Sequence, residues 1–303
     1  MIRKNNIVLV LGAGASAPYH FPTGESLVER MAGLDDDQQS EFVQVCPNFT
    51  PHHVRLFCDD LRDSGWTSID RFLQRRQDYS NVGRAMIGFV LMPYEDSSNL
   101  HAPNGGRWYR YLYSDIIAPL SPQDFGTNQL SIITYNYDRS LEKFFFDVLK
   151  KGFSLMDADA ASLSQAIPIV HVHGSFGNLP GAGGHGRPYF ADFTDIHDAM
   201  HRLHIVSDDI QQSGVVERCS KLLEVASHVV FLGFGYDSVN VTRLELEKRC
   251  ANARFYGTRF KMTNSQIGLT YNTHFEPHGL SFCWDEEHVD CLQYLRRHRE
   301  LFV

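Results

Sequence analysis

Short runs of Val, Ile, Leu and Phe punctuate the chain at 7–11, 130–134, 167–172, 229–233, 254–257 and 280–283, each closed by Gly, Asn, His or a charged residue. The runs are continuous and do not alternate with polar residues, the pattern of strands buried on both faces of a parallel sheet. Between and after them, apolar positions fall at helical spacing over 24–33, 139–150, 214–226, 240–250 and 286–299. This alternation predicts an α/β fold with a doubly wound, mostly parallel six-stranded Rossmann-like sheet.

The gap between the first two strand signals is too long for one crossover helix. Segments 38–46, 53–63, 67–77, 81–92 and 107–118 read as helices, with Asp70, Arg71, Gln74 and Arg75 facing away from Ile69, Phe72 and Leu73. The expected organisation is a core of 1–34 and 126–303 carrying an inserted helical module, 35–125. The stretch 175–205, rich in Gly, His and aromatics, is expected to be a loop near the mouth of the sheet.

Composition narrows the function classes. A net charge of -8 gives no broad positive field for a phosphate backbone, so nucleic acid is not an expected direct partner. The six cysteines include no C-x-x-C pair, which argues against a zinc ribbon or a disulfide framework and for reduced thiols in a cytoplasmic protein. Arg3-Lys4, the run 7–11 and Ala15-Ser16-Ala17 imitate a secretory signal, but a β-branched run ending in Gly-x-Gly is equally a first strand and phosphate loop. No apolar stretch approaches the length of a membrane span.

Four polar segments follow four of the predicted strands, where open parallel sheets bind ligands. Gly12-Ala13-Gly14-Ala15-Ser16 offers close backbone approach to a pyrophosphate, or is only a tight strand-to-helix turn. In Thr134-Tyr135-Asn136-Tyr137-Asp138, Asn136 suits ribose hydroxyls or a water and Asp138 a carboxamide, unless either caps the next helix. Alternation puts His171 and His173 on one side of their strand, and Gly174 allows a sharp turn; His173 is placed as a base or as a hydrogen-bonded packing residue. Gly233-Phe234-Gly235 and Tyr256-Gly257-Thr258 offer backbone access and small polar contacts suited to an adenosine end, or are turns. His197, His201 and His204 have helical spacing but no accompanying Glu or C-x-x-C, and no metal site is expected. Hydride transfer ranks low, because Asp35-Asp36-Asp37 follows a helical pattern and not a second strand.

Taken in order, these segments resemble the sirtuin set of a Gly-Ala-Gly-x-Ser loop, Thr-Gln-Asn-x-Asp, a catalytic His-Gly and a Gly-rich fourth loop. Phe21-Pro22-Thr23-Gly24, Ser68-Ile69-Asp70-Arg71-Phe72-Leu73 and Tyr256-Gly257-Thr258 resemble one branch, the sirtuin-like proteins of bacterial anti-phage defence, whose members are typically NAD hydrolases. The resemblance implies that Gly12, Gly14 and Ser16 bind the pyrophosphate side of NAD, and that Gly233, Gly235 and Thr258 sit by the adenosine half. Asn136 would orient the nicotinamide ribose and the attacking water, Asp138 would line the nicotinamide pocket, and His173 would be the base. Ala13, Thr23, Tyr135 and Gly257 complete the set expected around NAD, which enters as substrate.

Departures from the deacylating sirtuins bear on the reaction. No cysteine lies in 175–189 where a zinc module would follow, Phe21-Pro22-Thr23-Gly24 replaces Gly-Ile-Pro-Asp-Phe-Arg, and Tyr135 replaces the usual Gln. The expected activity is therefore NAD+ hydrolysis to nicotinamide and ADP-ribose, with NAD depletion as the effector step of abortive infection. An NAD-dependent protein deacylase and a non-catalytic module sensing NAD or ADP-ribose are the alternatives. Because unchecked activity would harm the host, control by homo-oligomerisation or by a partner such as an ATPase or another defence protein is expected.

Overall fold

The computed structural model describes residues 2, 5–102, 107–181, 186–190, 192, 193, 195–205 and 214–302. Arg3-Lys4 of the signal-like run and 182–185 of the glycine-rich loop lie outside the described residues.

Six strands, β1 (Ile7–Leu11), β2 (Leu130–Thr134), β3 (Ile169–His171), β4 (His228–Leu232), β5 (Arg254–Gly257) and β6 (Phe282–Trp284), form one sheet in the order β3-β2-β1-β4-β5-β6. Every neighbouring pair is parallel. This is the doubly wound Rossmann-like order, with the chain reversing direction across the sheet between β1 and β4. All five residues of β1 are buried, as a central strand covered on both faces requires.

Helices cover both faces. On one, Leu9 and Leu11 of β1 share a continuous hydrophobic cluster with Met31, Phe57, Phe72, Met86 and Trp108, so segment 35–125 packs directly on the sheet. On the other, Val8, Val10 and Ile133 meet Val215, Leu223 and Phe275. The segment holds the helices Asp36–Val45, Pro51–Asp63, Ile69–Arg75 and Ser80–Leu91, and a helix from Trp108 that widens into π-helical turns over Leu112–Ile117.

Several boundaries differ from expectation for local reasons. The third strand shrinks from 167–172 to Ile169–His171, because Pro168 has no N–H for the ladder and the chain turns after His171. The expected helix 240–250 is two, Ser238–Arg243 and Leu246–Arg249, broken at Glu245 with φ 45°. The last helix is only Cys291–Arg297, started by a reciprocal Asp290/Gln293 capping box. Stretch 175–205, expected to be loop throughout, contains the helix Ile196–His201. Helices Asp157–Ser164 and Asn264–His274 were not expected; the first buries only Ala160 and Ala161 and the second buries nothing, so neither prints an apolar stripe. Among the described residues, no helix is long and apolar enough to cross a membrane.

Candidate functional site

The carboxyl ends of β1 and β4 flank the crevice where a sheet of this order binds its ligands. There the glycine loops are fitted to each other. A Cβ on Gly12 or Gly14 would stand 2.6 or 2.8 Å from the Gly233 carbonyl oxygen, and one on Gly233, whose φ is +57°, would stand 2.1 Å from the Ala15 nitrogen. The Gly14 N–H donates to the Gly233 oxygen at 2.9 Å, which commits that amide within the protein. Only glycine satisfies both the contact and the left-handed backbone. Gly235 is exposed and its Cβ position opens on empty space, so internal packing does not demand glycine there.

Thr258, just past β5, holds the far side of the crevice. Its buried hydroxyl accepts the Gly233 N–H at 2.9 Å, and its carbonyl takes the Tyr236 hydroxyl at 2.9 Å. Gly257 leaves room for that phenol, since a Cβ would lie 2.2 Å from its oxygen. Ala13 begins the one-turn helix Ala13–Ser16, while Thr23 is exposed at the start of helix Gly24–Ala32 and makes no side-chain capping bond.

Beyond β2 the chain carries the densest polar group. The Asn136 carboxamide donates to the Gly12 carbonyl at 3.0 Å and to the Ser16 hydroxyl at 2.9 Å, joining the β1 loop to the β2 end. Its Oδ1 is buried without a partner. Asn136 is therefore not a helix cap. Asp138 stands one residue before the N-cap, Arg139, and serves the helix start: its Oδ1 accepts the Ser140 N–H at 3.0 Å and the Ser140 hydroxyl, which meets the Tyr109 hydroxyl at 2.7 Å. Burial raises the Asp138 pKa, against the lowering effect of hydrogen bonds from Ser140 and Ser16. Ser16, Tyr109, Asn136, Asp138, Glu142 and His171 line a small cavity of about 10 Å³, near the minimum for one water.

His171 and His173, expected on one side of a continuing strand, have separate surroundings because β3 ends at His171. His171 bonds the Asn136 carbonyl at 2.8 Å and Glu142 at 2.5 Å. His173 is 1% exposed and packs at 5.4 Å from the Tyr135 ring and 5.9 Å from the Tyr137 ring. Among the described residues neither ring nitrogen has a hydrogen bond of full geometry, and the Asn240 side chain lies close enough to act on its pKa. Burial lowers that pKa; Asp70 and hydrogen bonding with Asn240 oppose the shift, and Arg243 reinforces it. A neutral imidazole results, the form a general base needs. Gly174 is obligatory beside it, having φ +71° and a Cβ position 1.9 Å from the Arg202 carbonyl oxygen.

The structure adds residues to which no role was assigned from sequence. Asp70 accepts the Tyr137 hydroxyl at 3.0 Å, and Arg71 pairs with Asp237 at 2.7 Å, so consecutive residues of one inserted helix grip the loops after β2 and β4. Asn240 receives the Tyr135 hydroxyl on its carbonyl at 2.7 Å. Glu95, fully buried, binds Arg139 through both carboxylate oxygens and also binds Arg187. Arg139 further donates to the carbonyls of Gly177, Asn178, Arg187 and Pro188, tying the loop after β3 to the insertion. His197 and His201 approach to 3.4 Å, but His204 lies beyond their helix and uses its backbone N–H on the His173 carbonyl. Among the described residues, no group of three or more metal-ligating side chains forms.

Fold and site together define an α/β protein with a doubly wound parallel sheet and a polar, partly unsatisfied cluster at the carboxyl ends of β1, β2 and β3. No protein-family model matches the chain, and no curated protein matches it.

Proposed function

We propose that the chain is a cytoplasmic NAD+ hydrolase that releases nicotinamide and ADP-ribose, acting as a NAD-depleting effector in anti-phage defence. One observation carries the enzymatic part: the Asn136 carboxamide and the His173 imidazole are buried at the ends of adjacent strands, and among the described residues Asn136 Oδ1 has no hydrogen-bond partner. Such an orphan costs about 1–3 kcal/mol unless a water or a ligand meets it. The defence context rests on the resemblance of the ordered motifs, as does control by a homo-oligomer or an ATPase-type partner.

Nicotinamide in NAD+ leaves as a neutral base, so cleavage of its ribose bond needs little acid catalysis. A water oxygen bonds to the ribose C1′ while the C–N electron pair returns to the pyridinium ring and discharges it. The water's proton passes to His173, and Asn136 orients the water and the ribose; Asp138 lines the nicotinamide pocket. Oriented dipoles and one neutral imidazole suffice for an oxocarbenium-like transition state.

The test is nicotinamide release by wild type, Asn136→Ala and His173→Ala, with and without co-purifying proteins and with circular dichroism as the folding check. Both variants should lose at least about a hundredfold in kcat. Full activity in both refutes the roles. Release that depends on an acetylated peptide would instead indicate a deacylase, and binding without turnover in every preparation a sensing module.

A further inference from the structure

Asn136 is gripped at two places. Its side chain holds Gly12 and Ser16, and its main-chain carbonyl accepts the His171 Nδ1–H at 2.8 Å. The other His171 nitrogen donates to the Glu142 carboxylate at 2.5 Å, and the His171 side chain is only 11% exposed. Glu142 belongs to the first turn of helix Ser140–Gly152, so the imidazole bridges the last residue of β3, the loop after β2 and the start of that helix.

We propose that the His171–Glu142 pair is a positioning device for Asn136, fixing its main chain so that its carboxamide keeps its aim. The proposal rests on the reading of Asn136 as the residue that orients the attacking water.

Acceptors at both ring nitrogens call for a proton on each, which makes the imidazolium the working form. Burial opposes that charge, but the attraction of Glu142, the hydrogen bonds to Glu142 and the Asn136 carbonyl, and the Asp138 carboxylate outweigh it and raise the pKa above 6.5. Glu142 comes from the helix, Thr134, Asn136 and Asp138 from the end of β2, Ser16 from the β1 loop and Tyr109 from the insertion; with His171 they surround one cavity. The sign follows from the raised value. The brace is complete below the unfolded pKa of about 6.5 and is lost as pH rises through the folded one. A neutral ring has a single N–H and must release either Asn136 or Glu142.

The closing experiment has two arms. Histidine ring resonances are titrated by NMR in wild type and Glu142→Gln, with His171→Gln as the assignment control. The His171 midpoint should lie above 6.5, fall in Glu142→Gln, and be followed by the Asn136 side-chain amide resonances. In the second arm, kcat for nicotinamide release should fall on the alkaline side with the same midpoint. In His171→Gln that limb should vanish, with kcat reduced about tenfold and KM little changed. Glu142→Gln should move the limb to lower pH.

A midpoint at or below the ordinary value, one that Glu142→Gln leaves in place, or an Asn136 amide that ignores it overturns the proposal whatever the activity. Wild-type kcat in His171→Gln does so as well. If wild type releases no nicotinamide either alone or with its co-purifying proteins, the functional reading fails, and the resonance arm still decides whether the pair controls Asn136.

Discussion

Replacing Glu95 by Gln keeps the shape of the side chain and removes a single charge from a closed site. In the wild type, Glu95 is 0% exposed and faces Arg139 and Arg187, which are 1% and 6% exposed. The variant removes the charge that Glu95 sets against two buried guanidinium groups, and it turns an amide donor toward donors. Breaking a buried pair by removing one partner costs about 3–5 kcal/mol. For 303 residues, an unfolding entropy of roughly 0.6 kcal/mol/K turns that cost into a fall in Tm of about 5–8 °C. Urea denaturation gives the free energy, and calorimetry gives the midpoint. Limited proteolysis supplies a local readout: cleavage near 177–188 should accelerate, because Arg139 holds the carbonyls of Gly177, Asn178, Arg187 and Pro188. Glu217→Gln is the control, since its partner Lys221 is exposed and exposed pairs contribute little; it should leave the midpoint unchanged. A loss below about 1 kcal/mol in Glu95→Gln, with unchanged proteolysis, would refute the assignment of a closed anchoring network.

Further expectations follow from the mouth of the sheet and from the thiols. Gly174→Ala should cost more than about 2 kcal/mol in urea denaturation, because alanine resists φ +71° and its Cβ would meet the Arg202 carbonyl at 1.9 Å; wild-type stability would contradict the geometry. A double-mutant cycle on Arg71→Ala and Asp237→Asn should give a coupling of about 0.5–1 kcal/mol, discounted for side chains that are 41% and 29% exposed; zero coupling would mean that the pair does not hold the loop. A thiol reagent at pH 8 should modify one cysteine quickly, Cys283, and all six after denaturation. Burial pushes Cys46, Cys58 and Cys219 up to about 11 and Cys250 and Cys291 up to about 12, so fast labelling of two or more in the native protein would contradict that burial.

What the sequence made legible and what it hid divide along a physical line. The strands were readable because those in the middle of a parallel sheet are buried on both faces and run apolar at nearly every position, as β1, β2 and β4 do. The outer ones carry exposed residues such as Arg254 and Cys283, yet each stands within a few residues of its expected place. The polar segments at the strand ends were readable for the same reason: a sharp change from apolar run to Gly, Asn or His marks the point where the chain leaves the sheet. Helix Asn264–His274 was invisible to that logic, since it buries no residue; its one local signature is the Thr263/Gln266 capping box. The site's supporting contacts were hidden by distance. Arg71 meets Asp237 across 166 positions, Tyr137 meets Asp70 across 67, and Arg139 meets Glu95 across 44, and no periodicity links residues so far apart.

The glycines show the same division inside one motif. Gly12 and Gly14 read as small residues that let a backbone approach a phosphate, yet the backbone that approaches them here is that of Gly233. Two loops from adjacent strands each demand glycine of the other, so their co-occurrence is a packing requirement of the fold before it is a binding requirement. The functional weight therefore shifts to groups that the fold does not need: Gly235, whose side faces open space, and the orphaned Oδ1 of Asn136. A stable scaffold gains nothing from burying the Asn136 Oδ1 without a partner, which costs about 1–3 kcal/mol. That cost makes Asn136 the residue at this end of the sheet whose substitution tests the proposed ligand contact most directly.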